Sequence, residues 1–224
     1  MESKITSRIV AESGMPRLFP VLAEELSPSD LQSLLLAVHK ARVRSIREPE
    51  ILARAGRNAL FGPSDVDARV LNGFDRMAFA AAEGFEAVDL SPVSPLGTNF
   101  VLGAIDQNNV LTALRNAEVL GDSTPAMAVE CARRRKGAAE RAAEAVRLAS
   151  SHRLIRLQPV DFPGYSPHFR LFGLVSAGRD SGGNAFEIAH LGEHIRCYLS
   201  LYRALNREGF SLSLIHISEP TRPY

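Results

Sequence analysis

Apolar residues recur at helical spacing through the first part of the chain. Ser27-Pro28-Ser29-Asp30 is a helix entry, with a small polar cap followed by proline at the first helical position. Leu31, Leu34, Leu35 and Val38 then fall at i, i+3, i+4 and i+7, which places one apolar stripe on a helix. Pro49 interrupts the pattern, and Gly62-Pro63 marks a turn, so residues 1–62 read as a helical N-terminal region. A second helix is expected from Ser64, with Asp67 three residues on, to about Glu83. Its stripe is Val66, Val70, Phe74, Met77 and Ala81.

From Gly84 the period changes. Residues 85–90 alternate as a strand does and stop at Pro92 and Pro95. Residues 97–114 mix short apolar runs with polar turns and predict strands and loops. Ser123 or Thr124 opens a helix through Arg135, and a further helix is expected over residues 138–149. Residues 154–160 predict a strand, 161–167 a loop, and 169–177 a strand with bulky residues on both faces, the mark of a buried sheet position. After a glycine-rich turn at 178–184, a long helix is expected from Phe186 to about Arg207. The order predicts an α+β fold: a mixed, mainly antiparallel sheet flanked by helices, with a helical N-terminal region. Residues 63–210 are expected to form the α/β core.

Composition narrows the class. A hydrophobic fraction of 46% with 23% charged residues is enough for a packed core. A net charge of +1 gives no global attraction to nucleic acid or anionic lipid. No apolar run approaches the roughly 18 residues of a membrane helix, and the N-terminus lacks an apolar signal core. Cys131 and Cys197 are too few for a disulfide framework and read as buried small hydrophobes. A cytoplasmic setting with no membrane partner is expected. From Leu212 to Arg222 the chain reads LSLIHISEPTR, the in-frame translation of a transposase adapter used in short-read library preparation. Residues 211–224 are therefore expected to be a non-native tail on a gene truncated near Phe210, and His216 and Glu219 are given no role.

Candidate chemistry concentrates around Arg156 and His168. A strand, a loop and a returning strand bring them near one another, and Phe172, four residues past His168, shares the side of its strand. Two cationic groups and a flat ring suit a nucleotide, the guanidinium donating in parallel to phosphate oxygens and the ring stacking on a base.

This layout resembles the second signature motif of the class II aminoacyl-tRNA synthetases. That motif runs from an arginine, a spacer and an acid, through a loop, to Arg or His with Phe four residues on. The resemblance implies ATP and Mg²⁺ as cofactors, with Arg156 as the catalytic residue on the α-phosphate. It implies further that His168 reaches the terminal phosphate, Phe172 stacks on adenine, and Gln158 stands where the family carries a nucleotide-contacting acid. Gly84-Phe85-Glu86-Ala87-Val88-Asp89-Leu90-Ser91-Pro92 is similar to the first motif, with one residue too many before the proline. In the family that motif helps form a dimer interface, so a homodimer is implied. Leu114-Arg115 and Thr124-Pro125 resemble the substrate-side loop and helix of the histidyl-type members. Ser176 replaces a second usual acid, and the third motif, a glycine-rich strand and helix with an arginine, would lie beyond Phe210. The implied function is adenylation of a small-molecule carboxylate, with tRNA as a further partner, or a regulatory paralogue without that activity.

A second reading comes from His190-Leu191-Gly192-Glu193-His194, the H-x-x-E-H pattern of inverzincin metallopeptidases. His190 and His194 share a helix face and could hold Zn²⁺, with Glu193 as base for the metal-bound water. A non-enzymatic interaction domain is the third. Among smaller signals, Arg133-Arg134-Arg135-Lys136 is a cationic run near a helix end. The stretch 178–183 reads as a turn, lacking the ending of a phosphate loop. Asp106 and Glu118 are substrate-amine partners by analogy alone.

Overall fold

The computed structural model describes residues 4–136, 145–158 and 166–210. The adapter-like tail and most of the expected 161–167 loop lie outside the described residues. Four helices open the chain: α1 (Lys4–Ser13), α2 (Leu18–Pro20, running on into a wide turn at Val21–Glu25), α3 (Pro28–Val43) and α4 (Glu48–Ala55). The Ser27 hydroxyl accepts the Asp30 amide at 3.1 Å and starts α3 as its sequence predicts. None of these four helices buries a residue. The stripe on α3 is left partly open, with Leu34 44% and Val38 43% exposed.

The core begins with α5 (Ala68–Ala81). Asp67, not Ser64, caps it, accepting the Arg69 amide at 2.8 Å, while the Ser64 hydroxyl closes a tight turn on Val66. Then come β1 (Glu86–Ala87), β2 (Val93–Pro95), α6 (Thr98–Gly103), β3 (Thr112–Ala113), β4 (Ala117–Val119), α7 (Ser123–Lys136), β5 (Val146–Ile155), β6 (His168–Ala177) and α8 (Ala185–Arg207). One sheet has the order β1-β5-β6, with β1 parallel and β6 antiparallel to β5. The other, β2-β4-β3, is antiparallel throughout. The fold is α+β, with small, mainly antiparallel sheets flanked by helices and a helical N-terminal region.

Two layers cover the first sheet. Ala149 of β5 with Phe172 and Leu174 of β6 pack under Ala78 and Ala82 at the end of α5 and under Cys197, Leu201 and Leu205 of α8. On the opposite face Leu148 packs against Met127 and Cys131 of α7. Both cysteines are buried and unpaired. Gly173 of β6 lets α7 approach, because a Cβ there would sit 3.1 Å from the Ser123 hydroxyl and 3.2 Å from the Met127 methyl. Gly173→Val is therefore expected to lower stability by about 1–3 kcal/mol, as overpacking does, read as a lower urea midpoint with an unchanged m-value.

Two expected elements are corrected. Residues 146–149 are strand, not the end of a helix, and residues 137–144 lie outside the described set. The strand expected over 154–160 starts at Val146 and ends at Ile155. Leu148, Ala149 and Ser150 are buried in a row, and the buried positions that follow alternate but include Ser150 and His152, so the apolar–polar alternation that would advertise a strand is absent from the sequence. Tertiary pairing overrides its helix-favouring Arg, Leu and Ala. The region 97–114 holds a short helix, α6, entered through Gly97 at φ 92°. β1 is shorter than expected, extended only by the Val88 amide donating to the Ala149 carbonyl.

Candidate nucleotide site

The site is built on a buried carboxylate. Glu118 of β4 has no exposed surface. One of its oxygens accepts the Asn99 amide at 2.6 Å and the Asn99 side chain at 2.9 Å. The other accepts the Gly97 amide at 3.0 Å and the Gln107 side chain at 3.3 Å. Burial alone would raise its pKa, but these four donors outweigh burial and hold it below the ordinary carboxylate value. Asn99, equally buried, donates to the Val119 carbonyl and accepts the Gly121 amide at 2.9 Å. The chain from α6 to the start of α7 is thereby fixed around one acid. Glu118 is thus a scaffold, with both oxygens engaged inward, and Asp106 caps a tight turn through the Asn108 amide and side chain.

Arg156 leans on that scaffold. Its Nε donates to the Gly121 carbonyl at 2.8 Å, and a terminal nitrogen lies 3.5 Å from the Asp122 carboxylate. Its guanidinium sits over the Phe169 ring, 5.4 Å from the centroid. Asp122 also accepts the Thr124 amide and hydroxyl, capping α7 next to the Thr124-Pro125 pair. Arg156, Asp122 and Phe169 form a partly open cluster of cation, anion and ring, with Arg156 34% and Asp122 27% exposed at the side chain.

His168 and Phe172 do not join it. The β5–β6 register pairs Ile155 with His168 and Leu154 with Phe169. Side chains directly opposite share a face and neighbours alternate, so the Phe169 side of the sheet excludes both His168 and Phe172. His168 is 8% exposed; its Nε2 donates to the Gly62 carbonyl at 2.8 Å, and its Nδ1 accepts from Arg153 at 2.8 Å. Phe172, also 8% exposed, is held edge-on between Phe79 and Tyr198 at centroid distances of 5.9 and 6.2 Å. Phe169 and Asp122 are the site residues that sequence reasoning missed. The pairing register, which local spacing does not carry, is the signal that finds Phe169.

The H-x-x-E-H residues lie on α8 but do not converge. His190 Nδ1 is 2.9 Å from Glu193, and its ring packs on Phe186. His194 Nε2 is 2.9 Å from the Ser176 hydroxyl, with its ring against Phe85. Burial lowers the His194 pKa. Among the described residues no group of three His, Cys, Asp or Glu side chains could hold a metal ion, so the zinc reading has no support. The cationic run at 133–136 is tied into the fold. Arg133 and Arg134 both clamp Glu130, and Arg134 bridges to Glu86 at the β1 edge. These hydrogen bonds bring Glu130 down to about 2. Asp180 turns the glycine-rich stretch into α8 by accepting the Phe186 amide. Among the described residues no helix is long and apolar enough to cross a membrane.

No family model matches the chain, and no curated protein matches it. Solved structures similar to part of it include an ATP phosphoribosyltransferase regulatory subunit/histidyl-tRNA synthetase from Bacillus halodurans C, at 18% identity, with a TM-score of 0.44 over 58% of this chain and 33% of that one. A pyrrolysyl-tRNA synthetase from Desulfitobacterium hafniense is 11% identical, with a TM-score of 0.46, covering 77% of this chain and 54% of that one. Histidyl-tRNA synthetase from Nostoc sp. PCC 7120 is 14% identical, with a TM-score of 0.43, covering 62% and 34%. The chain spans from one-third to about half the length of these structures. These likenesses are of low identity and cover part of the chain.

Proposed function

We propose that the face carrying Arg156 and Phe169 binds ATP, and that the chain is a class II synthetase-like adenylating domain or a regulatory relative of one. The observation that carries this reading is the stacked pair itself: a guanidinium 5.4 Å above an aromatic ring, beside a carboxylate at 3.5 Å. The ring offers a face to adenine, and the guanidinium offers paired donors to phosphate. To engage a phosphate, Arg156 exchanges its partners at Gly121 and Asp122 for the incoming oxygens. Phe169 takes the stacking role that the motif spacing suggested for Phe172, and His168 serves as a strut to Gly62.

The residues fit a nucleotide better than a resident metal. Mg²⁺ is commonly held by phosphates and one or two carboxylates, and Asp122 is the acid at this face suited to that part. When bound, the ion would offset phosphate charge, while Arg156 orients the α-phosphate and Phe169 fixes the base. Gln158, uncharged where the family has an acid, favours the regulatory or altered form. A small-molecule carboxylate, tRNA, a homodimer and a cytoplasmic setting belong to the same reading, as does a boundary near residue 62.

The test is calorimetric titration of the protein with MgATP. Arg156→Ala is expected to weaken binding by about 10- to 150-fold, the loss of one or two charge-assisted hydrogen bonds, while His190→Ala leaves it unchanged. Failure of the unmodified protein to bind MgATP at millimolar concentration would end the proposal.

A further inference from the structure

The helical N-terminal region carries a strong local charge. Residues 40–57 hold Lys40, Arg42, Arg44, Arg47, Arg54 and Arg57 against Glu48 and Glu50, an excess of four positive charges in a chain whose net charge is +1. All of these side chains belong to exposed residues. The segment runs from the last turn of α3, through a short turn, into α4 and just past its end. Arg44 is the C-terminal cap of α3 and Arg47 the N-terminal cap of α4. Between them the Ser45 hydroxyl donates to the Arg42 carbonyl at 3.0 Å and the Ile46 amide to the Val43 carbonyl at 3.2 Å, which closes the turn.

Helix dipoles account for part of this charge. A cation near a helix C-terminus is favoured, and Lys40, Arg42 and Arg54 stand in last turns. Arg47 has no such reason, because it meets the positive end of the α4 dipole. Packing gives none either, since neither helix buries a residue. Five of the six cations are arginines, whose planar forks match phosphate oxygens in pairs. Their arrangement selects among polyanions. A helix lying on an anionic membrane separates cations from apolar residues across its faces. Here Lys40 and Arg42, two residues apart, lie on different sides of α3, and the cations are separated from Leu34, Leu35 and Leu36 along the axis instead. A helix that reads duplex DNA brings its N-terminal residues to the base edges, whereas these cations gather at the C-terminal end of α3 and in the turn after it. That placement suits the irregular, exposed backbone of a folded RNA.

We infer that the α3–α4 turn is a contact surface for the phosphate backbone of a folded RNA, outside the α/β core. Arg42, Arg44 and Arg47 form its centre. The eight residues of α4 span about 12 Å, so Arg54 and Arg57 stand roughly that far away along the chain and meet separate phosphates. The attraction is electrostatic and sequence-independent, with counterions released from the RNA as the driving force. The inference rests on charge and position and stands apart from ATP binding at Arg156.

The probe is a fluorescein-labelled RNA hairpin titrated with the full chain, read by fluorescence polarisation from about 50 to 300 mM salt. With about four cations on phosphates, log K is expected to fall against log salt with a slope of about −3 to −4. Arg42→Gln, Arg44→Gln and Arg47→Gln combined should weaken binding at least about tenfold at ~100 mM salt and make the slope shallower by about 2 to 3. Circular dichroism and the urea midpoint should stay unchanged, because these residues hold up no core. Arg133→Gln, in the cationic run of α7, should leave RNA binding intact. No RNA binding at ~50 mM salt, or equal losses from Arg133→Gln and the triple variant, overturns the proposal. Tighter binding to vesicles of phosphatidylcholine and phosphatidylserine, or to a DNA duplex of the same sequence, also overturns it. A parallel MgATP titration reads the Arg156 face separately, so either assignment can fail without the other.

Discussion

Glu118→Ala is expected to destabilise the protein by about 3–5 kcal/mol, the range for removing one partner from a buried charged network. The variant leaves the Asn99 amide and side chain without their acceptor at a fully buried position, and the Gly97 amide and Gln107 side chain without theirs at a part-buried one. It also frees Asn99, which holds Gly121, on which Arg156 rests. Urea denaturation at neutral pH is the measurement, and a change below about 1 kcal/mol would refute the scaffold role. The pH dependence has a definite sign. The folded-state pKa of Glu118 is depressed, so its ionised form contributes stability that is complete above the unfolded-state value and is lost as pH falls through the folded-state value. The gap between the unmodified protein and Glu118→Ala should therefore narrow on acidification below the ordinary glutamate range.

Phe172→Ala and Phe169→Ala should part company. Phe172 lies in the main core between Phe79 and Tyr198, and its removal is expected to cost about 3–5 kcal/mol of stability. The protein that remains folded should keep its affinity for MgATP. Phe169 is half-buried under Arg156, so its truncation should cost little stability. Loss of a base-stacking ring, at about 1–3 kcal/mol, should weaken nucleotide binding by roughly 5- to 150-fold. Parallel urea and calorimetric titrations separate the two. The opposite pattern, with Phe172 controlling affinity and Phe169 controlling stability, would return the stacking role to Phe172 and refute the assignment made from register.

Much of the α-helical part was legible from local chemistry. Ser27 and Pro28 started α3, the Ser123–Thr124 entry opened α7, and the apolar spacing from Phe186 onward marked α8. Caps and helical periodicity act within a turn or two, so they are written in neighbouring residues. β5 was obscured because its buried positions include Ser150 and His152, so burial that alternates from Ser150 to Ile155 is not matched by apolar residues. The burial of Glu118 was equally hidden, since its four donors come from residues 11 to 21 positions earlier in the chain.

The sequence alone determined the α+β order and a returning strand that begins at His168, close to the expected 169–177. Each depends on residue type and spacing over a short span. The tertiary structure decided which ring stands beside Arg156. Register shifts of one residue exchange the faces of a strand, and the Ile155–His168 pairing sends Phe172 into the core and Phe169 to the open cluster. It also decided that His190 and His194 turn to different partners, Glu193 and Ser176, although four residues on a helix set them on one side. Helical spacing brings two side chains onto a common face, but the groups packed against that face fix where each points.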